Sequence, residues 1–215
     1  MSQHTLTLLR FTYKKLKEKL TVSDSKKLFH EQFPYVIPGL YKRIVDETLV
    51  ELNLLNHQNE FEQDYLFCIG LREMFNEFMQ DYNPPEHLDL LFESLCNSTN
   101  FEAKEINEIS QKSQKEFKDK TSKDIMKLLI EKSNSKLYPS RILNLAIYIL
   151  FSNSQDLKEK NEADVNKLIS EIFEKLNLSA NKAEKDIGIY KSSISKMEQA
   201  KELIEELRVK EKKKG

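Results

Sequence analysis

FPYVIPGLYKRIVDETLVELNLLNHQNEFEQDYLFCIGLREMFNEFMQDY, residues 33 to 82, decides the fold: it reads as two amphipathic helices rich in large apolar side chains and free of catalytic signatures. Phe33 and Pro34 close a preceding helix, and Pro38 falls in the first turn of the next, where a missing N–H leaves no intrahelical bond unmade. Tyr41, Ile44, Val45, Thr48, Leu49, Leu52 and Leu55 then recur at three- and four-residue steps and form one stripe. Lys42, Arg43, Asp46, Glu47 and Glu51 edge the other side. In the second helix Phe67, Leu71, Met74, Phe75 and Phe78 repeat the device, and Tyr82-Asn83-Pro84-Pro85 ends it. Gly70 sits inside that helix, where glycine costs up to about 1 kcal/mol against alanine, so another helix is expected to cross closely there.

The same stretch carries a family resemblance. Val22-Ser23-Asp24, Phe33-Pro34, Tyr41-Lys42-Arg43, Val45-Asp46-Glu47, Val50-Glu51-Leu52, Asp64, Leu66-Phe67, Gly70, Phe75, Phe78-Met79 and Tyr82 follow one another in an order that resembles the thylakoid formation family, also called photosystem II biogenesis proteins. The match resumes at Leu95-Cys96, at Ser140-Arg141 through Tyr148, and from Asp186 to Gln199, including Tyr190-Lys191-Ser192 and Lys196-Met197-Glu198-Gln199. No one of these motifs is diagnostic; their order over roughly two-thirds of the chain is specific.

Working outward, the remaining pattern is also helical. Charged residues make up 32% and hydrophobic ones 39%, with 4 Gly and 5 Pro, a balance that suits a helical protein and argues against a turn-rich β fold. The chain of 215 residues can bury one sizeable core. About nine helices and no strand are expected, in an all-α fold: a single multi-helix globular domain with a long, partly coiled-coil C-terminal helix. Residues 1–21 form a basic extension, 22–178 the helical core, and 179–215 the C-terminal helix and charged tail. Thr21 and Asp24 resemble a capping box. Phe101 to Lys132 is polar, with apolar positions thinned to Ile106/Ile109 and Ile125/Leu128/Leu129, and reads as marginal, partly exposed helices or a mobile connection. Pro139 opens the most apolar helix, with Ile142, Leu145, Ala146, Ile149 and Leu150, expected to be the central hub. Ser179 is a candidate N-cap for the last helix.

That last helix changes character along its length. Ile187, Tyr190, Ile194 and Met197 follow the 3-4-3 spacing of a coiled-coil seam, whereas Ala200, Ile204 and Leu207 continue an apolar stripe only after a shift of phase. Its first half is therefore expected to dock on the core and its second half to project, with Ala200, Ile204 and Leu207 as the candidate partner-binding residues. Folding back onto the core is the alternative. Tyr41, Arg43, Asp46 and Glu47 place polar groups beside the first stripe and are expected to form a buried, hydrogen-bonded structural cluster.

Chemistry is scarce in this sequence. With Gly39, Gly70, Gly188 and Gly215 as its glycines, the chain has no phosphate-cradling loop of either common kind. His4, His30, His57 and His87 are scattered, with no HExxH and no Glu-x-x-His, so no metal or other cofactor is expected. Cys68 and Cys96 lie within apolar patterns and read as reduced core thiols. Glu47 and Glu51, an i, i+4 acid pair, read as solvated surface rather than a catalytic dyad. No catalytic residue and no small-molecule substrate are expected.

Formal net charge is -1, so binding to nucleic acid is not expected without a local basic patch. Arg10, Lys14, Lys15, Lys17 and Lys19 make one such patch, and Lys210 with Lys212-Lys213-Lys214 another. The first, with Leu9, Tyr13, Leu16 and Leu20 on one face, could lie on an anionic membrane surface. No apolar run reaches the roughly 18 residues of a membrane span; Ile142 to Phe151 is too short. Residues 1 to 20 read as neither a secretory signal nor a plastid transit peptide. The family resemblance implies a non-enzymatic accessory protein in photosystem II biogenesis and repair and in thylakoid membrane organisation. It further implies association with the membrane FtsH protease complex, from a cyanobacterial cytoplasm and peripheral to the thylakoid. A helical binder of nucleic acid or membrane surfaces, and a helical enzyme with an unrecognised site, are the alternatives.

Overall fold

A computed structural model describes residues 19–132, 137–158 and 160–212. Among the described residues there are nine α-helices and no strand: α1 (Val22–Gln32), α2 (Gly39–Asn56), α3 (Tyr65–Phe78), α4 (Leu88–Asn97), α5 (Ala103–Phe117), α6 (Ser122–Lys132), α7 (Arg141–Ser152), α8 (Glu162–Lys175) and α9 (Ala180–Lys212). The all-α reading holds.

Local chemistry sets the boundaries. Thr21 and Asp24 form the reciprocal capping box of α1, and the hydrogen bond from Thr21 holds the Asp24 carboxyl below its ordinary value. Asp64, Ser140 and Asn161 cap α3, α7 and α8 by accepting from backbone N–H groups three residues on. Ser179 does the same for α9, its Oγ accepting from Lys182 N–H at 3.3 Å. Pro38 occupies the N-cap of α2 rather than its first turn; its carbonyl accepts from Tyr41 and Lys42. Two helices end with a left-handed asparagine, Asn100 (φ 66°) after α4 and Asn177 (φ 56°) after α8. In both, the following N–H reaches back to close the end: Phe101 to Cys96 O and Leu178 to Phe173 O, each at 2.9 Å. Asparagine tolerates this conformation better than other non-glycine residues, which suits a chain so poor in glycine.

The core is built round α3. Leu66, Phe67, Cys68, Ile69, Gly70 and Leu71 are all buried, so its first turns are enclosed on every side. Its principal neighbours are α7 and α5. The expected hub helix, α7, is thus one member of a central pair. At Gly70 the two backbones meet: a Cβ built there would lie 2.5 Å from the Ile142 carbonyl oxygen and 2.9 Å from the Ala146 Cβ. The absence of a side chain is what allows the crossing.

The polar stretch after Phe101 is more ordered than its composition suggests. Helix α5 packs along α3 and buries Ala103, Ile106, Ser110, Ser113 and Phe117. Ser110 and Ser113 continue the apolar stripe at helical spacing, and their small side chains permit a close approach. Ser110 Oγ accepts from the Gln114 side chain at 3.1 Å, and that amide also donates to Glu73 on α3 at 2.7 Å. Ser110→Leu should therefore destabilise the fold by about 1–3 kcal/mol through overpacking, with Ser110→Ala costing less than about 1 kcal/mol. Denaturant titration of the two variants checks this.

Candidate functional site

Tyr41, Arg43, Asp46 and Glu47 do not form one buried cluster. Successive helical residues turn by about 100°, so Tyr41 and Arg43 lie on opposite sides of α2. Tyr41 is buried and its hydroxyl donates to the Asp81 carbonyl at 2.9 Å. Arg43 is 80% exposed and donates through Nε to Glu47 at 2.7 Å, while Asp46 faces Lys26 at 3.8 Å.

The polar centre of this region is instead Glu51 with Arg141, the first residue of α7. Arg141 donates to Glu51 Oε2 from Nε at 2.7 Å and Nη2 at 2.5 Å, and its Nη1 lies 3.9 Å from Glu47. Burial pushes the Glu51 carboxyl above its ordinary value, and the Arg141 guanidinium opposes that shift. One turn along α7, buried Asn144 donates to Asp186 of α9 at 2.7 Å. These contacts join α2, α7 and α9. Glu51 and Arg141 line part of a groove of about 530 Å³ between α2 and residues 138–141, walled by Val50, Leu54 and Tyr138. A carboxylate held by a guanidinium in this way locks helices together and offers no free acid or base. Burial also raises the Cys96 thiol, and both cysteines are buried in the core.

Helix α9 docks and then departs. Ala183, Ile187, Tyr190 and Met197 are buried, and the helix packs on α7 and α8. Tyr190 meets Phe78 edge-on at 5.3 Å. Lys201 ties this helix to the body, its Nζ donating to the Asp81 carboxylate at 2.6 Å; the backbone carbonyl of the same Asp81 holds Tyr41. Beyond it Leu203 (58%), Ile204 (43%) and Leu207 (51%) are exposed, with Val209, while Ala200 is half-buried at the junction. The phase shift after Met197 thus coincides with the point at which the helix leaves the body.

A second exposed apolar group lies in a loop. The α1–α2 loop carries Tyr35 and Val36, and Tyr35 stacks on His87 with ring centroids 3.8 Å apart. No helix among the described residues is long and apolar enough to cross a membrane, and no described group of three or more His, Cys, Asp or Glu side chains is arranged to hold a metal ion. Residues 1–18 and 213–215, which carry most of the two basic patches, lie outside the described residues.

A family model described as "Thylakoid formation protein" matches residues 21–215. The chain belongs to the thylakoid formation protein family. Its relatives include Protein Thf1 of Prochlorococcus marinus strain MIT 9312, 80% identical over 199 residues that cover 93% of this chain and 99% of that protein. Protein Thf1 of Prochlorococcus marinus subsp. pastoris is 68% identical, covering 92% and 98%. Protein Thf1 of Synechococcus sp. strain CC9902 is 36% identical, covering 88% and 89%. Among solved structures, Psb29 at 1.55 Å superposes with a TM-score of 0.78 at 24% identity, over 91% of this chain and 98% of that one, a likeness of fold.

Within this family frame, the order of motifs was the signal that sequence could supply. The Glu51–Arg141 pair was not legible, because its members stand 90 residues apart and each looks like an ordinary surface charge.

Proposed function

We propose that this member of the thylakoid formation family is a non-enzymatic accessory protein in photosystem II biogenesis and repair and in thylakoid membrane organisation. It acts by associating with the membrane FtsH protease complex, from the cytoplasm and peripheral to the thylakoid. The family supports the process. The observation that carries the mode of action is the projecting half of α9, where Ile204 and Leu207 stand exposed on a helix already anchored by Met197 and Lys201. An amphipathic helix in this state presents an apolar stripe at low ordering cost to a groove on a partner. Ala200, at the root of the stripe, marks where that contact would begin.

The I204D/L207D double variant tests this reading. Both side chains are outside the core, so its thermal midpoint should stay within a few degrees of wild type, on the order of the shift from 1 kcal/mol or less. Co-purification of the FtsH complex from the native membrane fraction should fall strongly, because charges are excluded from a helix-in-groove contact. An unfolded double variant would assign the segment to the intramolecular core. Intact folding with intact co-purification would move the docking surface elsewhere.

A further inference from the structure

The groove over α2 has an uncovered apolar wall. Leu54 is 52% exposed within it, and Val50, Leu55, Tyr138 and Pro139 line it with Leu54. Covering an aliphatic side chain that stands half in water inside a concave surface is favourable, so an apolar segment is the natural occupant. Charge does not select that segment. The acids of the groove already face cations: Asp46 faces Lys26, Glu47 faces Arg43, and Glu51 faces Arg141.

The place where the chain enters does select it. Thr21 precedes α1 with an extended backbone (φ -66°, ψ 163°), so the chain changes course before that helix begins. Leu20 is pinned to α2: its carbonyl accepts from the buried Asn53 side-chain amide at 2.8 Å, and the same amide donates to Ser25 Oγ at 2.8 Å. Lys19 Nζ donates to the His57 carbonyl at 3.0 Å and to Asn59 Oδ1 at 3.3 Å. Gln58, which stands between those two acceptors in sequence, lines the groove. The described chain therefore begins beside the C-terminal end of α2, at one end of the groove.

Residues 1–18 lie outside the described residues, and their sequence supplies what the groove lacks. Leu6, Leu9, Tyr13 and Leu16 recur at steps of three, four and three, the spacing of one apolar helical stripe. At a helical rise of about 1.5 Å per residue, Leu6 to Leu16 would span about 15 Å and Asp46 to Leu55, along the groove, spans about 14 Å. Lys17 to Thr21 are left as the connection, a length within the roughly two to five residues that join antiparallel helices.

We infer that residues 6–16 dock as a helix in this groove, antiparallel to α1, with Leu9, Tyr13 and Leu16 covering Leu54 and Tyr138. The occupant is a segment of the same chain, tethered at the groove's end by Lys19 and Leu20. So short a tether gives an effective concentration on the order of millimolar, and a contact too weak to hold a separate peptide is still populated.

The chain contains no tryptophan, so L9W places a lone reporter in the segment. In the full-length protein, acrylamide quenching of this tryptophan should be several-fold weaker than in urea-unfolded protein, and independent of protein concentration. Y13W, on the same stripe, should report the same protection. L54D, at an exposed position in the groove, should raise quenching to the unfolded level while helix content and the protection of α3 and α7 amides stay unchanged. I130D, at an exposed apolar position on α6 outside the groove, should leave quenching as it is. Quenching at the unfolded level for both reporters without L54D would overturn the inference, as would protection that L54D leaves intact. Protection that appears only as protein concentration rises would assign the groove to a second copy, and protection that appears only with phosphatidylglycerol vesicles would assign the segment to a membrane surface; each overturns it too. These measurements use the isolated protein, so they are independent of whether the FtsH complex binds α9.

Discussion

Arg141→Met should destabilise the protein by about 3 kcal/mol at neutral pH, because it strands a part-buried carboxylate, 16% exposed, that has no other cation in contact among the described residues. Glu51 accepts both of the close Arg141 hydrogen bonds, and burial already raises its pKa against that help. Removing the guanidinium raises it further. A carboxyl whose pKa is higher in the folded than in the unfolded state binds more protons when folded. Its contribution to stability is therefore full below the unfolded value and is lost as pH rises through the folded value. The deficit of Arg141→Met relative to wild type should accordingly be largest at neutral pH and shrink as the solution is acidified through the raised Glu51 pKa. Urea titrations of both proteins at a series of pH values measure it. Glu51→Leu combined with Arg141→Met should recover much of the loss, since replacing a buried pair by apolar groups is often nearly neutral. A pH-independent deficit would mean that the arginine acts through packing alone.

Gly70→Val is expected to be at least as damaging, at about 3 kcal/mol or more. Its Cβ would lie 2.5 Å from a backbone oxygen of α7, and a backbone atom cannot rotate away as a side-chain tip can. The enclosed part of α3 would have to separate from its principal partner. Gly70→Ala isolates the smallest version of the same clash, in which about 1 kcal/mol of gained helix propensity works against the contact. If Gly70→Ala were as stable as wild type or more so by denaturant midpoint, the crossing of α3 and α7 would be looser than described.

These two sites differ in how far they could be foreseen. Gly70 was legible because a glycine inside a strongly apolar helix is costly and needs a reason, and close helix approach is the usual one. The Glu51–Arg141 pair was not, since periodicity reports which face a residue occupies and nothing about which distant helix it meets. Tyr41, Arg43, Asp46 and Glu47 were grouped by nearness in sequence, and the rotation of the helix then sent Tyr41 to Asp81 and Arg43 to solvent. Ser110 and Ser113 were misleading in the other direction: as hydroxyl-bearing residues they diluted the apolar pattern of α5, although their size suits a buried contact. The phase shift in α9 was visible in the order of its apolar residues, because a seam that fits one surface cannot continue out of register on it. Its meaning for exposure followed from the structure: Lys201 meets Asp81, and Leu203, Ile204 and Leu207 lie beyond.

The central claim is that the outer half of α9 is a partner surface separable from the fold. Hydrogen exchange of the full-length protein, with and without the detergent-solubilised FtsH complex, tests it most directly. Residues 203–209, on an exposed helix, should exchange rapidly in the free protein, and their amides should gain protection in the complex while those of α3 and α7 stay protected in both. Protection appearing elsewhere on the molecule, with residues 203–209 unchanged, would contradict the account.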